Sequence, residues 1–189
     1  MTRTMMVLLL FVLVLGWFWL VPSGYTWSEK RALEQAVPAP GGSKVYEKAF
    51  GSHKVVIWKT PVMTYAQLLE TRWGILHRVI TAAQLAPRLP DDALLRTWSA
   101  HLNESKQYET LFAIETLDPE MTTVLISNDP MDDEAADTLD EIRQRSSLSL
   151  ELKVEDRYAV LYTELPAAEE GGFVFRGIDS QGQIKFAGR

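Results

Sequence analysis

Apolar positions are continuous at the start of the chain and alternate with polar ones over much of the remainder. Met5 to Val21, MMVLLLFVLVLGWFWLV, is seventeen residues without a charge, at the short end of the about 17–25 needed to cross a bilayer as a helix. Beyond it the pattern predicts strands. KVYEKAF and KVVIWKT are β-rich runs around GSH and read as a hairpin. Val55, Val56, Ile57 and Trp58 are apolar in succession, as in a strand buried on both faces. ETLFAIET, MTTVLIS, LSLELKV, YAVLYTEL and GFVFRGI follow at hairpin-like intervals, the mark of an antiparallel sandwich or barrel. Leu148, Leu150, Leu152 and Val154 alternate with polar residues, a strand buried on one face. DSQG, residues 179–182, reads as a type I turn closed by glycine.

Two stretches interrupt the β pattern. Within residues 83–107, PDDALLRTWSAHLNESK predicts a short helix or a long loop, with Asp91 or Asp92 as N-cap and Leu94, Leu95, Trp98 and Leu102 on one face. DPMDDEAADTLDEIRQR predicts an acidic helix capped by Asp132 or Asp133, with Leu139 and Ile142 touching the core.

LLETRWGILHRV, residues 68–79, admits two assignments. Tyr65, Leu68, Leu69, Trp73, Leu76, Val79 and Ile80 form a helical stripe, at some cost from Gly74 inside it. As strands the alternation is weaker. However, KVVIWKT…YAQLLETRWGILHRV resembles a set of small membrane-anchored extracytoplasmic proteins of Gram-positive bacteria, mostly of unknown function. The resemblance continues at ETLFAIETLDPEMTTVLI (109–126) and at GGFVFRGIDSQGQI (171–184), similar to their closing hairpin. It departs at His77, where tryptophan is usual, and in an acidic insertion near residue 132. The resemblance implies two strands turning at Trp73-Gly74, and that assignment is adopted here.

The fold class expected is therefore an N-terminal transmembrane helix followed by a mainly β, antiparallel ectodomain with one or two short helices, with α+β as the alternative. Residues 1–27 are expected to hold the anchor and its flank. Trp17, Trp19, Tyr25 and Trp27 would form an aromatic belt at the outer interface. Arg3 before the span, against the cancelling charges of Glu29, Lys30, Arg31 and Glu34 after it, orients the N-terminus inward. A cleaved signal peptide ending before Gly24 is the rival, yielding a secreted protein, but the apolar run exceeds the usual h-region of about 7–15 residues. Residues 28–43, SEKRALEQAVPAPGGS, read as a helical stalk and flexible spacer, so that folding begins near Lys44.

Charge divides the rest. Lys44–Thr110 holds nine Lys/Arg against six Asp/Glu, and Leu111–Arg189 seven against seventeen. This suggests a basic, aromatic-rich β module over 44–107 and an acidic, sandwich-like module over 108–189. Neither is basic enough for nucleic acid. With no cysteine, disulfides, thiolate metal sites and cysteine nucleophiles are excluded.

Motifs for chemistry are absent. His53, His77 and His101 lack metal-ligand spacing, and no nucleophile elbow or phosphate loop occurs. The acidic run Asp129, Asp132, Asp133, Glu134, Asp137, Asp140, Glu141 lacks the glycine of a calcium loop and reads first as a solvated helix face, leaving Asp132, Asp133 and Asp137 as weak cation candidates. No catalytic residue and no cofactor is expected. Trp58, Trp73 and Trp98 with Tyr46, Tyr65 and Phe50 are read as core, with a surface for anionic envelope polymers or headgroups as the alternative. The expected partners are the membrane, through residues 5–21, and an envelope protein or anionic polymer, in an interaction or regulatory role; an exported hydrolase of unfamiliar type is the other class.

Overall fold

The computed structural model describes residues 5, 6, 11, 23–38, 41–86, 92–129, 138–166 and 172–188. Most of the expected membrane segment lies outside the described residues, and no described helix is long and apolar enough to cross a membrane. The rest is mainly antiparallel β-sheet with two short helices, as expected. Strands β1 (Ser43–Phe50), β2 (His53–Lys59), β3 (Thr64–Arg72) and β4 (Leu76–Leu85) form a four-stranded meander. Strands β5 (Leu94–Leu102), β6 (Gln107–Thr116) and β9 (Tyr158–Pro166) make a second sheet in the order β5-β6-β9. A third sheet, order β11-β10-β7-β8, combines β7 (Met121–Ser127), β8 (Ser149–Lys153), β10 (Val174–Asp179) and β11 (Ile184–Gly188).

Side-chain parity fixes how the sheets stack. On β6, Leu111 and Ala113 join Val55, Ile57, Ala66 and Leu68 of the first sheet in one buried cluster. The intervening Phe112 and Ile114 join Val124, Ile126, Phe173 and Phe175 on the side of the third sheet. The β5-β6-β9 sheet is thus a middle layer covered on both faces, which is why Leu111–Ile114 of β6 and Tyr158–Tyr162 of β9 read as unbroken apolar runs. Outside the first sheet, helix α1 (Glu29–Gln35) buries Ala32 and Leu33 against Val56, Trp58, Tyr65 and Leu69. Outside the third, helix α2 (Leu139–Arg145) buries Ile142 against Leu125 and Ile178.

The hairpin at Trp73-Gly74 is present. Ile75 N–H donates to the Arg72 carbonyl at 3.2 Å, and both central residues have positive φ, 51° at Trp73 and 73° at Gly74, as a type I′ turn requires. The competing helical stripe has a physical origin. Strand β3 is covered on both faces, Leu68 by the middle sheet and Leu69 by α1, so adjacent residues are both apolar and strict alternation disappears.

Four expectations are corrected. Residues 28–43 are not a free stalk: α1, capped by Ser28, is packed on the first sheet, with Leu33 fully buried, and the folded part begins well before Lys44. The division at residue 107/108 falls at the start of β6 in the β5–β6 hairpin, whose register runs from Leu94↔Thr116 to Leu102↔Tyr108; the two charge halves therefore share the middle sheet. The stretch expected as helix or loop within 83–107 holds strand β5, flanked by the end of β4 and by the turn to β6. Finally, α2 begins at Leu139 under a Thr138–Glu141 capping box rather than under Asp132 or Asp133, both of which lie outside the described residues.

Candidate binding cleft

Strands β4 and β5 are the neighbouring edges of the first and middle sheets. At one end Ala86 and Arg96 form a bridge, Arg96 N–H donating to the Ala86 carbonyl at 3.2 Å. At the start of β4, His77 exchanges two backbone bonds with Thr26, of 2.8 and 2.9 Å. Between these ties no described strand pairs with the outer edge of β4, nor with that of β5 beyond Arg96. The edges enclose a cleft of about 380 Å³. Its floor is buried Leu68 and Leu111; its walls are Arg78 to Thr81 and Ser99 to His101, with Glu109 at the margin. Ile80 is the extra residue of a β-bulge, since Leu69 pairs with Val79 and Leu68 with Thr81. Bulges re-aim a strand and interrupt pairing beside functional sites.

Polar groups around the cleft are partly committed. Glu70 accepts from Arg72 Nε, Arg78 Nη2 and the Tyr25 hydroxyl at 2.7–2.8 Å, and the Tyr25 ring lies beneath both guanidinium groups at 5.0 and 4.8 Å. Burial would raise the Glu70 carboxyl, but these three donors outweigh it and hold it below its ordinary range. Arg78 Nε is buried and has no partner among the described residues. Glu109 is engaged by Tyr162, whose phenol is pushed up to about 12 first by burial and then by Glu109. His101 lies directly across from Glu109 in the β5–β6 register and is exposed. His53 instead stacks on Tyr162, and His77 meets the Thr71 hydroxyl at 3.1 Å, so the three histidines stay apart.

The acidic run does not assemble as a site among the described residues. Asp129 is buried and held by both terminal nitrogens of Arg176, at 2.7 and 2.9 Å, with Ser127 donating to the same carboxylate. Glu141 serves the helix cap and Asp140 pairs with Arg143. Asp132, Asp133 and Asp137 lie outside the described residues, and no described group of three metal-ligating side chains converges. Of the aromatic residues read as core, Trp58 and Tyr65 sit under α1 and Trp98 packs edge-on against Phe173, whereas Trp73 is 85% exposed. Sequence reasoning misses the cleft because the pattern of β5 reads as a helix or loop and not as a strand. Ser99 and His101, two apart and therefore on one face, were the available signal. Comparison with protein-family models, with curated proteins and with solved structures finds no match for this chain.

Proposed function

We propose that the protein is a single-pass, outward-facing binding protein of the cell envelope, anchored by residues 5–21, that receives an extended segment of a protein partner between β4 and β5. One observation carries this reading: two unpaired strand edges face each other across a cleft with an apolar floor. An open edge is a row of unsatisfied N–H and C=O groups, and adding a strand there gives affinity through the main chain while pockets read alternate side chains. Leu68 and Leu111 would receive an apolar side chain, and Arg78, His101 and Glu109 at the margins would select polar ones. The resemblance to membrane-anchored extracytoplasmic proteins points the same way.

A photo-crosslinking amino acid at Ser99 or Thr81 of the full chain, irradiated in intact cells, is expected to give a protease-sensitive adduct. The same residue at exposed Lys153, on the third sheet, should give none. A protease-resistant adduct would make the partner a wall polymer, and no adduct at either position would sink the reading. The hydrolase alternative keeps one supporting observation, since Ser99, His101 and Glu109 line one cleft, although no hydrogen bond joins Ser99 to His101 among the described residues. Labelling by a fluorophosphonate probe that disappears in Ser99→Ala would favour it.

A further inference from the structure

We propose that the tip of the β3–β4 hairpin is a second membrane contact, seated in the lipid headgroup region beside the point where the anchor leaves the bilayer. The proposal rests on the anchored reading above and adds an orientation to it. Three independent features converge on the tip.

The first is a residue the fold does not ask for. The turn needs positive φ at its first central position, where asparagine, aspartate or glycine is favoured. Here stands Trp73, at φ 51° and 85% exposed. A bulky side chain in that conformation is uncommon, and this one packs on nothing that would justify it. Ile75, immediately after the turn, is 51% exposed.

The second is position. Thr26 is bonded to His77, which pairs with Thr71 just below the turn, and Tyr25 is clamped between Arg72 and Arg78. The uncharged run ends at Val21. Five residue steps from Val21 to Thr26 span at most about 18 Å, so His77, near the tip, stands close to the end of the apolar run. Because α1 is folded onto the first sheet, no stalk intervenes to lift the domain away.

The third is composition. Trp73 and Ile75 at the tip, exposed Trp27 following Thr26 at the same end of the hairpin, and Arg72 and Arg78 flanking it give aromatic rings with cationic neighbours. Amphipathic rings and snorkelling arginines are the residues that settle at the headgroup level. The opposite end of the first sheet carries Val62, at the β2–β3 turn. With nine residues in β3 at about 3.3 Å each, it stands roughly 30 Å from the tip.

The chain has no cysteine, so single substitutions report without background. The full chain carrying Trp73→Cys, Ile75→Cys or Val62→Cys would be labelled with an environment-sensitive fluorophore. Each would then be reconstituted in phosphatidylcholine–phosphatidylglycerol vesicles containing headgroup-nitroxide lipid. All three sites are exposed, so labelling leaves the core intact, and two tip positions guard against a local defect at either. Strong quenching at 73 and 75 with none at 62, in protein that floats with the vesicles, is the expected result. Floating protein with no quenching at 73 and 75, or with equal quenching at all three sites, overturns the inference and leaves the anchor standing. Protein that fails to float overturns both.

Discussion

Asp129→Ala is expected to cost about 3–5 kcal/mol, because it strands a buried guanidinium without its counter-ion. Both side chains of the Asp129–Arg176 pair are almost fully buried, at 1% and 4% exposure. The pair joins the segment just past β7 to the middle of β10 through two parallel hydrogen bonds. Arg176→Met, which leaves the Asp129 carboxylate buried without its partner, should cost a similar amount, while Asp129→Ala with Arg176→Met should lose less than the sum of these two singles. Urea midpoints for the four proteins decide this; strictly additive losses would show that the pair is not coupled. The same pair sets an acid limit. Burial would raise the Asp129 carboxyl, but Arg176 and Ser127 more than offset it and hold it low. A folded pKa below the unfolded value of about 3.9 means that its contribution is complete above that pH and is lost as pH falls through the folded value. Wild type should therefore lose stability on acidification in that range, and the double variant should lose less.

Phe112→Ala is expected to cost about 3–5 kcal/mol. Phe112 is fully buried in the middle sheet, and its ring meets Phe173 at 5.0 Å and Phe175 at 6.3 Å, both edge-on. Its removal opens a cavity between two sheets that cannot close without shifting β6, which is bonded on both sides. Against a typical total of about 5–15 kcal/mol, such a loss brings the domain near unfolding. The midpoint in urea should fall with little change in slope. A loss below about 1 kcal/mol would contradict the middle-layer placement of β6.

Much of this architecture is legible in the sequence, and what is not legible has specific causes. Strands with one solvated face, such as β8 with Leu150 and Leu152, announce themselves by alternation. Strand β3 does not, because α1 and the middle sheet bury both of its faces, and its apolar spacing then imitates a helix. Strand β5 is obscured for a related reason. Leu94, Leu95, Trp98 and Leu102 fall at helical spacing because Leu94 and Trp98 join the cluster toward the third sheet and Leu95 the one toward the first, with Asp92 just ahead of the strand where an N-cap would stand. The charge contrast between the halves suggested separate modules, but charge describes the surface while the boundary of a fold is set by apolar contacts. Leu111 and Phe112 are adjacent in sequence and face different sheets. The cleft shared this fate, since a site made from two strand edges is invisible until both are known to be strands.

Residues 23–27 tie these threads together. Tyr25 was expected in an aromatic belt with Trp27, but the structure clamps Tyr25 into the Glu70–Arg72–Arg78 cluster and leaves Trp27 exposed. Anchored as proposed through residues 5–21, the chain would present the β4–β5 cleft to partners at a set angle near the bilayer. The measurement that bears most directly on the account is access to Val62→Cys in intact cells by a membrane-impermeant maleimide. Val62 is 75% exposed at the β2–β3 turn, the end of the first sheet opposite Thr26. Labelling of the membrane-bound protein without lysis is the predicted result. Labelling only after the cells are broken would contradict the outward orientation and the envelope function with it.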